Sequence, residues 1–201
     1  KEVATIIDSL HPADIAEVME DLTVEEAKFI YLLLDGEKAS DVLIEIPDND
    51  RRRFLKVLPP EFIASKFIEH MDSDDAADVV AELDDELKKE VLNEIIDAEQ
   101  AGDIVDLLEY EEDSAGGIMA KELVRVNENW TVATCLKEIG VQAEEVDEIY
   151  YIYVIDDSEK LKGVLSLKTL ILTSTNTKIS NLYNADVKMV NTDDRQEEVA
   201  E

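Results

Sequence analysis

Asp74 and Asp78 stand four residues apart, a spacing that puts both carboxylates on one face of an α-helix. Like charges so placed repel by about 0.2–0.5 kcal/mol on a solvated helix, and a cation between them removes that cost. Asp41 occupies a similar setting: Ala39-Ser40 precede it as Ala76-Ala77 precede Asp78, so small residues flank both acids. Such a set offers oxygen ligands to a hard cation. Magnesium, which keeps several of its own waters, suits scattered carboxylates of this kind. The same residues also read as a solvated acidic face, because 50 Asp and Glu in 201 residues produce such pairs in any case.

Other chemistries find little support. His11 and His70 lie far apart with no Cys or His at ligand spacing, which argues against zinc. His11 precedes Pro12 at a helix start and His70 sits near a helix end, so capping or dipole roles fit them better. Asp48-Asn49-Asp50 lacks the glycine and closing glutamate of a calcium loop. Gly116-Gly117 follows no strand and lacks the Lys-Ser/Thr of a phosphate loop. The single cysteine, Cys135, cannot form an intramolecular disulfide, fits a reducing compartment, and sits in an apolar helical pattern as buried filler. There is no nucleophile elbow, Cys-His pairing or metal-hydrolase motif, and few aromatics to hold a sugar between paired acids. The chain does not read as an enzyme.

The elements that must carry the acids repeat. Anchors at Thr5, Asp14, Lys28, Asp41, Arg53, Lys66, Asp78, Glu90 and Asp103 are each followed by apolar residues at offsets one, two and five. Neighbouring anchors lie 9 to 14 residues apart. Those offsets share one helical face, and a two-turn helix cannot bury such a face alone, so consecutive copies must stack. Pro12 and Pro59-Pro60 suit first turns, and Thr23 with Glu26 and Asp97 with Gln100 have capping-box spacing. Asp48, Ser73 and Asp84 are expected N-caps, and Asp35-Gly36 a turn. The fold class expected is mainly α: a right-handed superhelical array of short helices, residues 1–113.

This array carries 34 acidic and 10 basic side chains, a net of −24, whereas residues 114–201 carry 16 and 9, a net of −7. So acidic a surface repels phosphate backbones and anionic lipid, which argues against nucleic acid as a partner, and it attracts cations. No apolar run approaches 18 residues and no leader pattern opens the chain, so these residues are not expected to span a membrane or direct secretion. The ending at Val199-Ala200-Glu201, inside a new helical pattern, suggests a fragment.

Beyond the charged, small-residue stretch 111–117 the pattern changes. Val124-Arg125-Val126 reads as a strand, Thr131 to Ile139 as a helix, Ile149 to Ile155 as a β-prone run, and Leu161 to Leu165 as another strand. Ser166 can cap a helix Leu167 to Leu172, and Val187 to Val190 followed by Gln196-Glu197-Glu198-Val199-Ala200 repeats the strand-then-helix opening.

The β-α-β-β-α order, with Leu161-Lys162-Gly163-Val164-Leu165-Ser166 before its last helix, resembles a CBS module: residues 114–179, with 180–201 starting a second. Taken with the acidic array, Ser114-Ala115-Gly116-Gly117-Ile118-Met119 and Tyr150-Tyr151-Ile152-Tyr153-Val154, the whole chain resembles the cytosolic part of the MgtE family of magnesium channels and transporters. The resemblance implies a helical N-domain and CBS modules on the cytoplasmic side of the cell membrane. It implies a homodimer formed through the CBS half and a transmembrane pore elsewhere in the protein, closed as magnesium draws the N-domain onto the CBS domain. It implies magnesium roles for Asp41, Asp74 and Asp78, for the backbone of Gly117, and for Glu197; at Arg195 the chain departs from the family's usual acid. CBS modules often hold adenine nucleotides. Tyr151 would supply the base wall, with Lys168 and Thr169 at the ribose end, and Thr169 in place of the usual Asp implies weak ATP binding. Two other functions fit the residues: an acidic helical scaffold docking a basic partner, and a nucleotide-responsive CBS regulator of an attached enzyme.

Overall fold

A computed structural model describes residues 5–7, 9–143, 146 and 149–199. Ala200 and Glu201, which the last helical pattern includes, lie outside the described residues. The chain forms two compact units, residues 1–119 with 192–201, and residues 120–191.

The first unit is the helical array: α1 (Pro12–Met19), α2 (Val24–Tyr31), α3 (Gly36–Glu45), α4 (Asp48–Leu55), α5 (Pro60–Lys66), α6 (Ser73–Ala81), α7 (Asp85–Glu94) and α8 (Ala98–Leu107), with a 3-10 turn at Ile68–His70. Packing runs mainly between next-but-one helices: α1 on α3, α3 on α5, α5 on α7 and α6 on α8. In these pairs a short helix buries its apolar face against a helix that follows one hairpin later. The residues at the three offsets are all buried after anchors Asp14, Asp41, Arg53, Lys66 and Asp78. After Lys28 the register departs from expectation. Phe29 is exposed, and α2 instead buries Ala27 and Tyr31, with Leu34 just beyond it. Tyr31 causes the shift. Its ring stacks on Phe54 at 5.2 Å and meets Phe67 edge-on at 4.8 Å, ring contacts that set which side of α2 faces inward.

Helix starts follow local chemistry. Thr23 and Glu26 form the full capping box, Asp84 accepts from the Leu87 N–H at 3.1 Å, and His11 Nδ1 accepts from the Ala13 N–H at 3.3 Å. Three expected caps differ. Asp48 and Ser73 are first helical residues, behind Pro47 and Asp72. Asp97 caps α8, but the Gln100 side chain leaves the box to donate to the Ile68 and Met71 carbonyls, satisfying the 3-10 turn instead.

Residues 192–199 complete this unit. The Ala115 N–H donates to Asp194 O at 2.7 Å, the Gly116 N–H to Thr192 O at 2.8 Å, and the Gln196 N–H to Asp113 O at 2.9 Å. Arg195 adds an ion pair to Asp113 at 2.6 Å, and α11 (Gln196–Val199) follows.

The second unit is a three-stranded sheet in the order β1 (Val124–Asn127), β2 (Ile152–Ile155), β3 (Leu161–Leu165), with β1 parallel and β3 antiparallel to β2. The helices are α9 (Val132–Gln142) and α10 (Leu167–Leu172). Val124, Val126, Val132, Cys135, Ile139, Ile152, Val154, Leu165 and Leu170 form its core. Burial raises the Cys135 thiol to about 11, consistent with filler rather than a nucleophile. β2 is shorter than the β-prone run because β1 begins, and β3 ends, opposite Ile152, so the ladder starts there rather than at Ile149. α9 runs a turn further than expected, and its Gln142 side chain hydrogen-bonds both the Arg125 N–H and carbonyl, at 2.9 and 3.0 Å, like a strand residue. The expected strand at Val187 to Val190 does not form, and Met189 and Val190 are exposed.

Gly163 is where this unit tolerates no side chain. A Cβ there would lie 2.1 Å from the backbone oxygen of Asn184, which pairs with Val164 through two hydrogen bonds of 2.8 and 3.0 Å. Gly163→Ala should therefore cost about 2–4 kcal/mol of stability, since backbone cannot yield as a flexible side chain does. Urea unfolding measures this, and a loss below 1 kcal/mol would contradict the close approach.

Candidate functional site

Two helices bring the predicted acids together. α3 carries Asp41, and α6 carries Asp74 and Asp78 with Asp75 between them. The small residues beside the acids are what let both helices sit deep, because Ala39, Ser40, Ala76 and Ala77 are all buried. Ser40 Oγ donates to the Phe67 carbonyl at 2.8 Å, which ties α3 to the end of α5. At the start of α3 the Asp35 carboxylate accepts from the Lys38 N–H at 2.9 Å. The acids remain on the outer side of this packing: Asp41 and Asp78 are exposed, Asp74 and Asp75 half-buried.

Electrostatically these groups act on one another. Although solvent reaches Asp78, the packed stack on its flank removes enough water to push its carboxyl above the ordinary range. Glu112, Asp75 and Asp74 push it further, and Arg51 opposes them. Asp75 is raised in the same sense, first by burial, then by Asp74, with Arg51 opposing and Asp41 adding. Five carboxylates from α3, α6 and the stretch after α8 thus share one field.

Asp78 also lines an open cleft of about 390 Å³ together with Glu112, Asp113, Gly117, Ile118 and Gln196, all within the first unit. Gly117 is held there by the turn: its N–H points to Ser114 O and Oγ, both at 3.1 Å, and a Cβ would lie 2.3 Å from Glu111 O. The neighbour of Glu197, Gln196, reaches the cleft lining. Glu197 itself is exposed, with its carboxylate 3.7 Å from Arg195 Nε. Among the described residues, no three His, Cys, Asp or Glu side chains gather tightly enough to hold a metal directly. The donor set is nonetheless all oxygen and strongly anionic, which fits a hydrated magnesium ion held through its waters and does not fit a dehydrated one.

The predicted nucleotide residues lie toward one end of the second unit's sheet. Tyr151 precedes β2 where Ile152 pairs with Leu165, so it stands opposite the Ser166 turn into α10, which carries Lys168 and Thr169. The Thr169 hydroxyl lies 2.8 Å from Ser166 Oγ, inside the cap of that helix.

Sequence reasoning missed Asp75, Glu112, Gln196 and Arg51. Asp75 sits between two predicted acids and was open to the same spacing argument. Arg51 was not, because a buried arginine within Arg51-Arg52-Arg53 looks like its two exposed neighbours until the fold separates them.

Residues 10–113 match the MgtE intracellular N domain and residues 115–174 the CBS domain. The chain is 34% identical over 197 residues to the magnesium transporter MgtE of Thermus thermophilus, covering 97% of this chain and 44% of that protein. It is 31% identical over 204 residues to the magnesium transporter MgtE of Bacillus subtilis, again covering 44% of that protein. It therefore spans less than half the length of these curated relatives. Among solved structures, the cytosolic domain of the Mg2+ channel MgtE in complex with ATP superposes with a TM-score of 0.88 at 34% identity, covering 98% of this chain and 80% of that one. The soluble part of a magnesium transporter gives 0.82 at 31% identity, covering 99% and 78%.

The raised Asp78 carboxyl has a defined consequence for stability. The folded state holds this proton more tightly than the unfolded chain, whose value is near 3.8, so the contribution of Asp78 to stability falls as pH rises through the window above 3.8. In chelator at pH 7, Asp78→Asn should melt about 1–3 °C above the unmodified protein, and that difference should vanish below pH 3.8. Calorimetry across pH checks it; a variant that melts lower at pH 7 would remove the repulsion from the account.

Proposed function

The chain belongs to the MgtE family of magnesium transporters, and from that premise we propose that it is the magnesium-sensing regulatory part that gates the ion path of a longer protein. It carries an MgtE N domain and a CBS domain and is not an enzyme. Among the described residues, no helix is long and apolar enough to cross a membrane, so transport itself would belong to further segments of the kind its relatives' greater length allows. The proposal sets this region at the cytoplasmic face of the cell membrane.

The observation that carries the reading is the shared field of Asp41, Asp74, Asp75, Asp78 and Glu112 on the first unit, close to the cleft that Gly117 and Gln196 line. Without divalent ions these charges repel one another and their surroundings. Magnesium reverses the sign of those interactions and draws the acidic helical unit and the CBS half into a more compact state. Moving such an equilibrium from mostly open to mostly closed takes about 5.5 kcal/mol of differential binding. One site at ten times its dissociation constant supplies only about 1.4 kcal/mol, so several hydrated sites must act together. Exposed Leu136 and Val141 on α9, and Ile171 and Leu172 at the end of α10, supply an apolar surface for the homodimer proposed through the CBS half.

A second reading, nucleotide sensing, has a specific observation in its favour: Tyr151, Lys168 and Thr169 share one end of the sheet, and a solved relative is a complex with ATP. Thr169 lacks the carboxylate that would take both ribose hydroxyls, and its own hydroxyl is engaged by Ser166. Calorimetry on this chain should therefore give an ATP dissociation constant weaker than about 100 µM. Submicromolar binding would reverse the assignment.

For the main reading, small-angle scattering in chelator and in millimolar magnesium should show a smaller radius with the ion, in a steep response. The variant Asp41→Ala with Asp78→Ala should blunt it. An unchanged radius in the full-length protein, or an undiminished response in the double variant, would remove these carboxylates from the switch.

A further inference from the structure

Among the described residues, Arg51 is a charged side chain that the array draws inside. Its side chain is only 10% exposed, and Glu82, its main partner, is equally buried. Arg51 Nε donates to Glu82 Oε2 at 3.1 Å and Nη2 to Glu82 Oε1, so the carboxylate is held by two donors of the guanidinium. Nη1 donates to the carbonyls of Ile44 at 3.0 Å and Ile46 at 3.2 Å, and Nη2 also reaches Asp48 Oδ1 at 3.1 Å.

Where these acceptors lie is the informative part. Ile44 and Ile46 end α3, the helix that bears Asp41, and Glu82 is the C-cap of α6, the helix that bears Asp74 and Asp78. Outside its own helix, the Arg51 side chain therefore hydrogen-bonds to the C-terminal ends of the two acid-bearing helices. Carbonyls at such ends carry partial negative charge and want a cation. A planar fork with five donors can serve carbonyls on one helix and a carboxylate on the other at once; an ammonium presents three donors from one point and cannot keep that spacing.

We propose that Arg51 is the positioning residue of the acidic surface, a single guanidinium clasped to the ends of α3 and α6 that fixes the distance between Asp41 and the Asp74–Asp78 pair. The proposal rests on the magnesium-sensing reading for its functional consequence, though not for the spacing itself. Arg51 touches no ion. Its effect on magnesium comes through the helices it holds, much as residues behind a metal's ligands set affinity by orienting them. Mutual placement matters for a hydrated ion because each carboxylate must meet a water already fixed in the ion's octahedron.

Arg51→Lys keeps the charge and loses the fork, which separates position from electrostatics. Spin labels at Glu37 of α3 and Ala81 of α6, in a chain whose buried Cys135 is replaced by alanine, read the helix separation without magnesium. Arg51→Lys should broaden or shift that distance distribution, and the magnesium chloride midpoint for compaction should rise about three- to tenfold. Val91→Ala, a core truncation on α7 that lowers thermal stability without touching either clasp, should leave both readings where they were. Unchanged label distances in Arg51→Lys, or an equal midpoint shift in Val91→Ala, overturn the proposal. An unmodified chain with no response to magnesium sinks the sensing reading instead, and the label distances then still decide the role of Arg51.

Discussion

Helices of seven to ten residues are too short to be stable alone, and the first unit consists of little else. Its order comes from burying apolar faces between next-but-one helices, with alanines and serines allowing close approach at α3 and α6. That constraint also decides where charge can go. With the inner faces committed to packing, the acids are left on the outer side, where carboxylates of α3 and α6 lie within each other's field. The excess of negative charge is therefore a consequence of how the array packs as well as a device for attracting cations. It also explains why a cation is worth burying: Arg51 and Glu82 hold the stack together at points where carbonyls end and the apolar seam has nothing to offer.

Much of this architecture could be read from the residues. The repeated apolar offsets located the helices because a two-turn helix leaves almost no freedom in which side it buries. The reading slipped where one side chain outweighed the pattern, as at Tyr31, which took the core position that Phe29 was expected to hold. Strand length was overread at Tyr150 and Tyr151 for a different reason. β-propensity is local, while a strand ends where its partners end. Gln100 and Gln142 show the same limit in polar form. Each has a plausible local task, and each serves a distant backbone group instead.

The candidate site was legible in its types and only partly in its members. Spacing found Asp74 and Asp78 because i and i+4 is a geometric statement that holds on any helix. It could not find Glu112, which reaches the field of Asp78 through the turn after α8, nor Gln196, which reaches the cleft because residues 192–196 pair with 113–116. Family resemblance supplied Gly117, and the structure gives a reason for a glycine there in the tight approach to Glu111.

The pairing of residues 113–116 with 192–196 means that the chain leaves the helical unit and comes back to it. The CBS-bearing residues 120–191 are thus an insertion tethered at both ends rather than a bead on a string. Closing so long an excursion carries an entropic penalty that grows only slowly with its length, so the insertion can vary in size with little effect on the host. The helical unit, by contrast, has no single cut point. A piece ended near residue 113 would discard the backbone partners of 192–196, and one that ran on through the insertion but stopped before 192 would leave the Ala115 and Gly116 amides without their acceptors. The helical unit can be isolated whole only by excising residues 120–191 and rejoining the ends, whereas the insertion is a single contiguous stretch.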